Sequence, residues 1–309
     1  MNVNSDVLAA LLTTYQARFG ADFNKSLETQ EWREIAQVVE STTLNETVPF
    51  SGAAPRVQDT TDGTVQYEDA STYSISISNR VFQAGWSIQR EAWADDRVGL
   101  FANKPSEMAE AAAEHPGEYM WGLIENNGLA YDGVAFYSAS HLASGLGAAV
   151  NNIQSGTGVD PVDLLYDLNL SQIKMFNFLT DKNRKLKRFG NVITTPVDLY
   201  QTWFEALAVL NVNDSGAPTR VFPGGTSFTA GDYRVIVNPE ATDANNWQLH
   251  HVSGNRKPFV LTWREAPRLE GTQTTNCYEW TEERMAKYST YARYGRGYGD
   301  PRLSVLVTN

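Results

Sequence analysis

The sequence predicts an α+β protein with helices and strands interleaved along one chain, and three observations carry that expectation. Apolar residues recur at helical spacing in several separate stretches, apolar and polar residues alternate in others, and no internal repeat or low-complexity run is present. The chain has 309 residues, 42% hydrophobic and 20% charged, which is enough apolar material for one large domain or two intimate ones.

Near the start, Val7, Leu8, Leu11, Leu12, Tyr15 and Phe19 share one helical face, with Ser5 or Asp6 as N-cap and Gly20 as stop. A helix this short is not stable alone, so its stripe needs a partner in its own chain or in a neighbouring subunit. A less regular apolar segment follows from Glu31 to Pro49, through Trp32, Ile35, Val38 and Val39. After a polar excursion from Gly52 to Glu68, Tyr73, Ile75 and Ile77 alternate with serines, and Val81, Phe82, Trp86 and Ile88 continue extended. Residues 50–88 therefore read as a long two-stranded hairpin. Its serine-rich face closes no core, which points to packing against another molecule.

Arg97 to Asn127 is the clearest helix, with Met108, Ala111, Ala112, Tyr119, Met120 and Leu123 on its stripe and Gly128 at its end. Pro116 removes one backbone bond, so a bend or division is expected near His115. A loop-rich region spans Tyr131 to Asp160. Leu164, Leu165, Leu168, Ile173, Met175 and Phe178 then mark a second helical stretch, its helix starting near Ser171. Asn191–Thr195, Pro196 and Leu199–Leu210 read as strand, turn and helix. Arg234–Val237, Pro258–Trp263 and Leu303–Val307 read as strands.

The net charge of −11 repels nucleic acid as a whole, so contact with it must come from local basic patches. One dense patch exists: Lys182, Arg184, Lys185, Lys187 and Arg188 suit DNA, an acidic neighbouring subunit or simply a solvated helix end. Tyr291, Tyr294 and Tyr298 interleave with Arg293 and Arg296 in a pattern able to stack on bases. A glycine-bearing strand inside a packed domain explains that pattern with less. Cys277 is the single cysteine, no stretch approaches the ~20 apolar residues of a membrane span, and no secretion signal is recognisable, so a cytosolic origin is expected.

The phosphate-cradling, dinucleotide, His-Glu-x-x-His and nucleophile-elbow motifs are all missing. His250 and His251 are adjacent, which on a strand sends them to opposite faces and argues against a shared metal. Asp95 and Asp96 suit the start of a helix better than an acid/base pair. Ser138, Ser140 and His141 have no identifiable orienting acid in the sequence. The residues thus predict no catalytic, cofactor-binding or metal site.

Several stretches, taken in order, carry a resemblance. They include Glu34–Thr43, Ile88–Glu91 leading to Asp95–Phe101, Tyr131–Gly133 with Phe136, Tyr137 and His141, Trp247–Leu249, Lys257–Phe259, Arg264–Pro267 and Ala292–Gly299. Together they resemble the Mu-like prophage major head subunit family, whose fold is the Hong Kong 97 phage capsid fold; residues 142–172 depart from it. The resemblance implies an N-terminal arm (1–49), an E-loop hairpin (50–90), a spine helix with P-domain (91–190), an A-domain (191–270) and C-terminal strands returning to both domains (271–309).

It further implies a major capsid protein that self-assembles as hexamers and pentamers around the double-stranded DNA of a tailed phage or prophage. Assembly would take place in the host cytoplasm, with separate scaffold, portal and decoration proteins, nonspecific DNA contact and no membrane. On that reading the subunit contacts fall on the arm stripe (Leu8, Leu11, Leu12, Tyr15), the hairpin (Tyr73, Ile75, Ile77, Phe82, Trp86) and the spine helix (Met108, Tyr119, Leu123). The competing readings are an encapsulin-like nanocompartment shell and a hydrolase using Ser140 and His141. Some capsids of this fold weld subunits through a hairpin lysine, and no lysine lies between Lys25 and Lys104. A noncovalent shell is therefore expected, because an arginine guanidinium cannot serve as that nucleophile.

Overall fold

Why the first helix forms is plain in the computed structural model, which describes residues 4–51, 72–95, 100–142, 149–180, 184–211, 233–254 and 256–309. Helix α1 (Ser5–Glu28) buries Leu8, Leu12, Tyr15, Phe19 and Phe23, a stripe that recurs every three to four residues. Gly20 does not stop it: the stripe continues to Phe23, and a Cβ at Gly20 would meet nothing within 4 Å. The N-cap is Asn4 rather than Ser5 or Asp6, its side chain accepting from the Val7 amide at 2.9 Å.

A single turn, α2 (Trp32–Ile35), runs into β1 (Ala36–Glu40). Next come β2 (Asn45–Ser51) and β3 (Thr72–Ser78), which form an antiparallel ladder from Asn45 opposite Ser78 to Ser51 opposite Thr72. The expected hairpin of residues 50–88 is shorter than its alternation suggests. At Asn79 the chain leaves this ladder, and β4 (Arg80–Gln89) joins a different sheet. The polar excursion from Gly52 to Glu68 lies outside the described residues.

One short helix, α3 (Arg90–Ala94), and a 3₁₀ turn (Leu100–Asn103) precede α4 (Lys104–Asn126). Pro116 does not divide α4; it is buried, and the neighbouring Gly117 leaves room for Trp32, whose Cδ1 would lie 2.9 Å from a Cβ there. The helix ends on Asn127, left-handed at φ 41°, one residue before the expected glycine. Asp95 closes α3 rather than opening α4, its amide donating to Glu91 O, and Asp96 lies outside the described residues.

The remaining elements are β5 (His141–Leu142), β6 (Ala149–Val150), β7 (Ile153–Ser155), α5 (Pro161–Asn177), β8 (Val192–Thr195), α6 (Val197–Asn211), β9 (Arg234–Val237), β10 (Trp247–His250), β11 (Phe259–Gly271), α7 (Tyr278–Thr281), β12 (Met285–Tyr298) and β13 (Ser304–Thr308). Helix α5 starts ten residues ahead of the expected Ser171, with Pro161 in its first turn and Leu164, Leu165, Leu168 and Met175 on one continuous buried face.

Two sheets organise the chain. Strand order β1-β11-β12-β4 makes a four-stranded sheet, and β7-β13-β10-β8-β9 makes a five-stranded one. Residues 191–270 are thus divided between the two sheets, β8 to β10 in one and β11 in the other. Packed against the four-stranded sheet, α1 and α4 enclose a core containing Leu8, Phe19, Ala109, Ala113, Trp280 and Tyr288. Against the five-stranded sheet, α5 and α6 enclose Leu164, Leu168, Trp203, Trp247 and Val305. A third cluster around Trp32, Met120, Phe136, Phe259 and Tyr298 bridges them.

Candidate functional site

Three places on this frame have geometry beyond simple core packing: the root of the hairpin, the groove between β4 and α4, and the outward faces of the helices. At the root, Asn79 is 4% exposed and its side chain is fully engaged. Its Nδ2 donates to Ser41 Oγ and Thr43 O, both at 2.8 Å, while its Oδ1 accepts from Thr262 Oγ1 at 2.7 Å. One amide thereby ties the β1–β2 turn, β11 and the point where the chain changes sheets. Glu46 accepts from Ser41 and Thr43 in the same turn, which holds its carboxyl below the ordinary range.

Under the root, Val48, Ile77 and Val260 form a small apolar cluster. The crossing requires glycines in β12: a Cβ at Gly295 would lie 2.7 Å from Ser78 O, and one at Gly297 would lie 2.6 Å from Ile77 Cδ1. Tyr294 and Tyr298 are buried in the core, so the tyrosine- and glycine-rich run is a packed strand and no stacking platform for bases.

In the groove, Phe82 of β4 stacks on Tyr294 with centroids 4.4 Å apart and packs against His115 and Tyr119 of α4. The Arg296 guanidinium lies 3.9 Å over the Tyr119 ring, and His115 Nδ1 bonds to the Tyr294 hydroxyl. Burial pulls the His115 pKa down from its ordinary value, although Glu118 pushes the other way. Beside these rings is a groove of about 310 Å³ floored by Met108, Ala111, Ala112, Pro267 and Ala292, with Glu114 and Glu118 on its rim.

The residues expected at subunit contacts are for the most part covered by their own chain. Leu8, Leu12 and Tyr15 are buried against α4 and β12 and Leu11 packs beside them, so of the two partners open to the stripe its own chain supplies one. Ile77 and Leu123 are also buried, Ile75 packs at the hairpin root, and Trp86 stacks on Tyr288 at 4.6 Å. Phe82, Met108 and Tyr119 are half-buried around the groove. Tyr73 pairs with Phe50 through the backbone, and its side chain lies outside the described residues.

What the sequence reading missed is on α5 and α6. Val162, Tyr166 and Ile173 point outward from α5, and Val197, Tyr200 and Phe204 from α6, with Val197 at 68% and Phe204 at 61% exposed. These positions have helical spacing on the faces opposite the buried ones, a signal present in the sequence but masked by the stronger inner stripes. By contrast, α4 turns outward the carboxylates Glu107, Glu110, Glu114 and Glu118. The last three stand at i, i+4 and i+8 and form no ion pair among the described residues, an arrangement that costs a few tenths of a kcal/mol per pair, ~0.2–0.5.

The basic run is not a helix end. Arg184 to Arg188 fold back along the chain after α5, with the Leu186 amide donating to Phe178 O and that of Lys187 to Phe176 O. Lys185 and Lys187 are exposed; Lys182 lies outside the described residues. Arg188 turns inward toward Asp300, which Arg302 grips through two 2.8 Å bonds and so holds below the usual carboxylate range despite burial.

Comparison with known proteins settles the family. The family described as Mu-like prophage major head subunit gpT matches residues 8–194, more than half of the chain. The chain belongs to that family. Its relatives include the major capsid protein of Escherichia phage Mu, 31% identical over 160 residues that make up 49% of this chain and 50% of the relative. The FluMu prophage major head subunit of Haemophilus influenzae is 30% identical over 188 residues, 55% of this chain and 57% of the relative. The chain thus spans about half the length of the curated relatives it matches. Among solved structures, the capsid of cyanophage P-SCSP1u superposes with a TM-score of 0.60 at 11% identity, covering 90% of this chain and 88% of that one. The procapsid of bacteriophage JBD30 gives 0.52 at 19% identity, covering 97% and 75%. The fold is the Hong Kong 97 capsid fold.

In this head-subunit family member the residues resembling catalytic groups have other partners. Contrary to expectation, His141 has an acid beside it: Nδ1 lies 2.7 Å from Asp132 Oδ2, and Nε2 lies 2.9 Å from Phe136 O. Both ring nitrogens are thus engaged in clamping the 131–141 loop, and Ser138 Oγ accepts from the Ser140 amide instead of meeting the imidazole. His250 is wholly buried between Thr194 Oγ1 and Ser304 Oγ, and burial lowers its pKa to about 3. His251 sits outside β10, its Nδ1 against Phe189 O at 2.6 Å. No metal-holding group of His, Cys, Asp and Glu occurs among the described residues, and no helix among them is long and apolar enough to cross a membrane.

Proposed function

We propose that this chain is the major capsid protein of a tailed phage or prophage, self-assembling as hexamers and pentamers into an icosahedral shell around double-stranded DNA. The observation that carries the reading is the head-subunit family match over residues 8–194, found on a chain with the capsid fold. The outward apolar stripes of α5 and α6 support it, since a helix with apolar residues on both sides has two surfaces to cover. Function in this reading is geometric, with no catalytic step, and a separate scaffold and portal complete the head, which is built in the host cytoplasm. Residues 1–49 serve as arm, 50–90 as E-loop region, 91–190 as spine and P-domain, 191–270 as A-domain and 271–309 as the returning strands. Cryo-electron microscopy of the chain expressed with its neighbouring head-gene products tests this. Closed shells that take up DNA are expected; small empty cages around an enzyme cargo would favour the nanocompartment reading, and a soluble monomer with esterase activity would end both.

The shell is noncovalent in this reading, because no lysine stands between Lys25 and Lys104 to weld the hairpin to a neighbour. Mature particles boiled in detergent should give one main band at the 34.3 kDa chain mass. A ladder of covalent multimers would overturn this.

A further inference from the structure

Glu110, Glu114 and Glu118 of α4 and Lys185 and Lys187 of the turn after α5 are two exposed features of opposite charge, and none of these five side chains forms an ion pair among the described residues. Glu110, Glu114 and Glu118 repeat every four residues, about 6 Å apart along a helix. Lys185 and Lys187 are exposed on either side of the less exposed Leu186, and Lys187 is left-handed at φ 52°, within the turn. Alongside the carboxylates runs the groove floored by Met108, Ala111, Ala112 and Pro267. Lysine has a four-carbon stem that packs on apolar surface while its ammonium stays at the edge, so groove and rim together suit lysine better than either would alone. The charges at the rim are opposite in sign to those of the turn.

We propose that the rim of this groove, Glu114 and Glu118, receives Lys185 and Lys187 of a second copy of the chain. The contact is heterologous: different patches meet, so each subunit offers one acceptor and one donor and the arrangement propagates around a ring. It rests on the shell reading above, and it names one contact by which neighbouring subunits choose their register. Because the paired charges remain near solvent, the contact sets geometry and is weakened by salt. Arg188, turned inward toward Asp300, stiffens the base of the donating turn.

Charge reversal tests it. Glu114→Lys/Glu118→Lys and Lys185→Glu/Lys187→Glu are each made in the full chain, along with the fourfold variant carrying both pairs. All are expressed with the neighbouring head-gene products, checked for folding by circular dichroism and counted as shells by sedimentation and negative-stain microscopy. Each double variant is expected to fold yet lose about tenfold or more of its shell yield, and the fourfold variant to recover it, since opposite charges face each other again at every contact. Double variants that assemble at the unsubstituted yield would overturn the inference, as would a folded fourfold variant that recovers nothing. Normal shells from Lys185→Glu/Lys187→Glu that retain less DNA would place the turn against nucleic acid and also overturn it. If the unsubstituted chain makes no shells, it is the shell reading that fails, taking the inference with it.

Discussion

The two sheets finish the outer faces of their helices differently. On the four-stranded side, α1 buries Leu8, Leu12, Phe19 and Phe23 within the chain, and α4 buries Ala109, Ala113 and Met120 while showing water a row of glutamates. On the five-stranded side, α5 and α6 bury Leu164, Leu168, Met175 and Trp203, yet also turn Val162, Tyr166, Val197 and Phe204 outward. The outward helix face is charged in one layer and apolar in the other. Amphipathicity counted on a single face does not separate them, because the difference lies in what the second face carries.

The largest effect should come from setting the two faces of α6 against each other. Trp203 is fully buried and packs edge-on to Trp247 at 4.7 Å, so Trp203→Ala is expected to cost the unassembled chain about 3–5 kcal/mol in urea unfolding. Its exposed neighbour Phe204, changed to Ala, should cost less than about 0.5 kcal/mol in the same measurement while lowering shell yield. Equal costs at the two positions would show that Phe204 is already covered and would erase the contrast. In the other layer, Phe19→Ala is expected to cost about 3–5 kcal/mol in the unassembled chain, because α1 is core. No stability change there would return α1 to the role of a detachable arm.

A smaller effect is expected at the hairpin root. Replacing Asn79 by Ala strands Thr262 Oγ1 and the Thr43 carbonyl, at a cost of about 1–3 kcal/mol. The loss should be local: amide exchange should quicken in β2 and β3 while β10 and β13 keep their protection. Uniform loosening of both sheets would mean that the two layers are not separately stable.

Much of this architecture is legible in the amino-acid sequence. Alternation locates β3 and β4, helical spacing locates α1, α4 and α6, and the scattered head-subunit motifs announce the fold. The limits have physical causes. Gly20 reads as a stop only if the stripe is assumed to end at Phe19, and Phe23 overrules it. Nothing in the alternation marks Asn79, because a strand that changes sheets keeps its period of two. Strand β11 is legible only as far as Trp263 because Pro267 argues against a strand, yet it lies where the β11–β12 register shifts between Glu265 and Arg268, a place that tolerates a missing donor. The outward stripe of α5 is hidden in the sequence because Ile173 falls among Leu168 and Met175, which face the other way.

The smallest effect is a pH slope, and it separates the layers by their histidines. His250, in the five-stranded sheet, is wholly buried between two hydroxyls and the edge of Phe259, and no acid among the described residues offsets the loss of water. Its pKa falls to about 3, so the folded chain holds it neutral, whereas the unfolded chain protonates it near its ordinary value of about 6.5. With the folded pKa depressed, its contribution to stability is whole above pH ~6.5 and is lost as pH falls from there toward ~3, at roughly 1 kcal/mol per unit. His115, in the groove of the other layer, is lowered in the same direction, but Glu118 opposes the shift. Asp300, held low by Arg302, adds acid sensitivity only below about pH 4, near the ordinary range of an aspartate. Between pH ~6.5 and ~4.5 the slope of unfolding free energy should therefore come from His250, with a further part from His251, whose pKa burial lowers against the opposing hydrogen bond to Phe189 O. His250→Gln, which keeps a hydrogen-bonding group at the site, should cost about 1–3 kcal/mol at pH 7 and flatten that slope, while His115→Gln should leave most of it in place. Urea unfolding of both variants across that window decides: a slope unchanged by His250→Gln means that the five-stranded sheet admits a charge at its centre, and the distinction between the two layers at acid pH is lost.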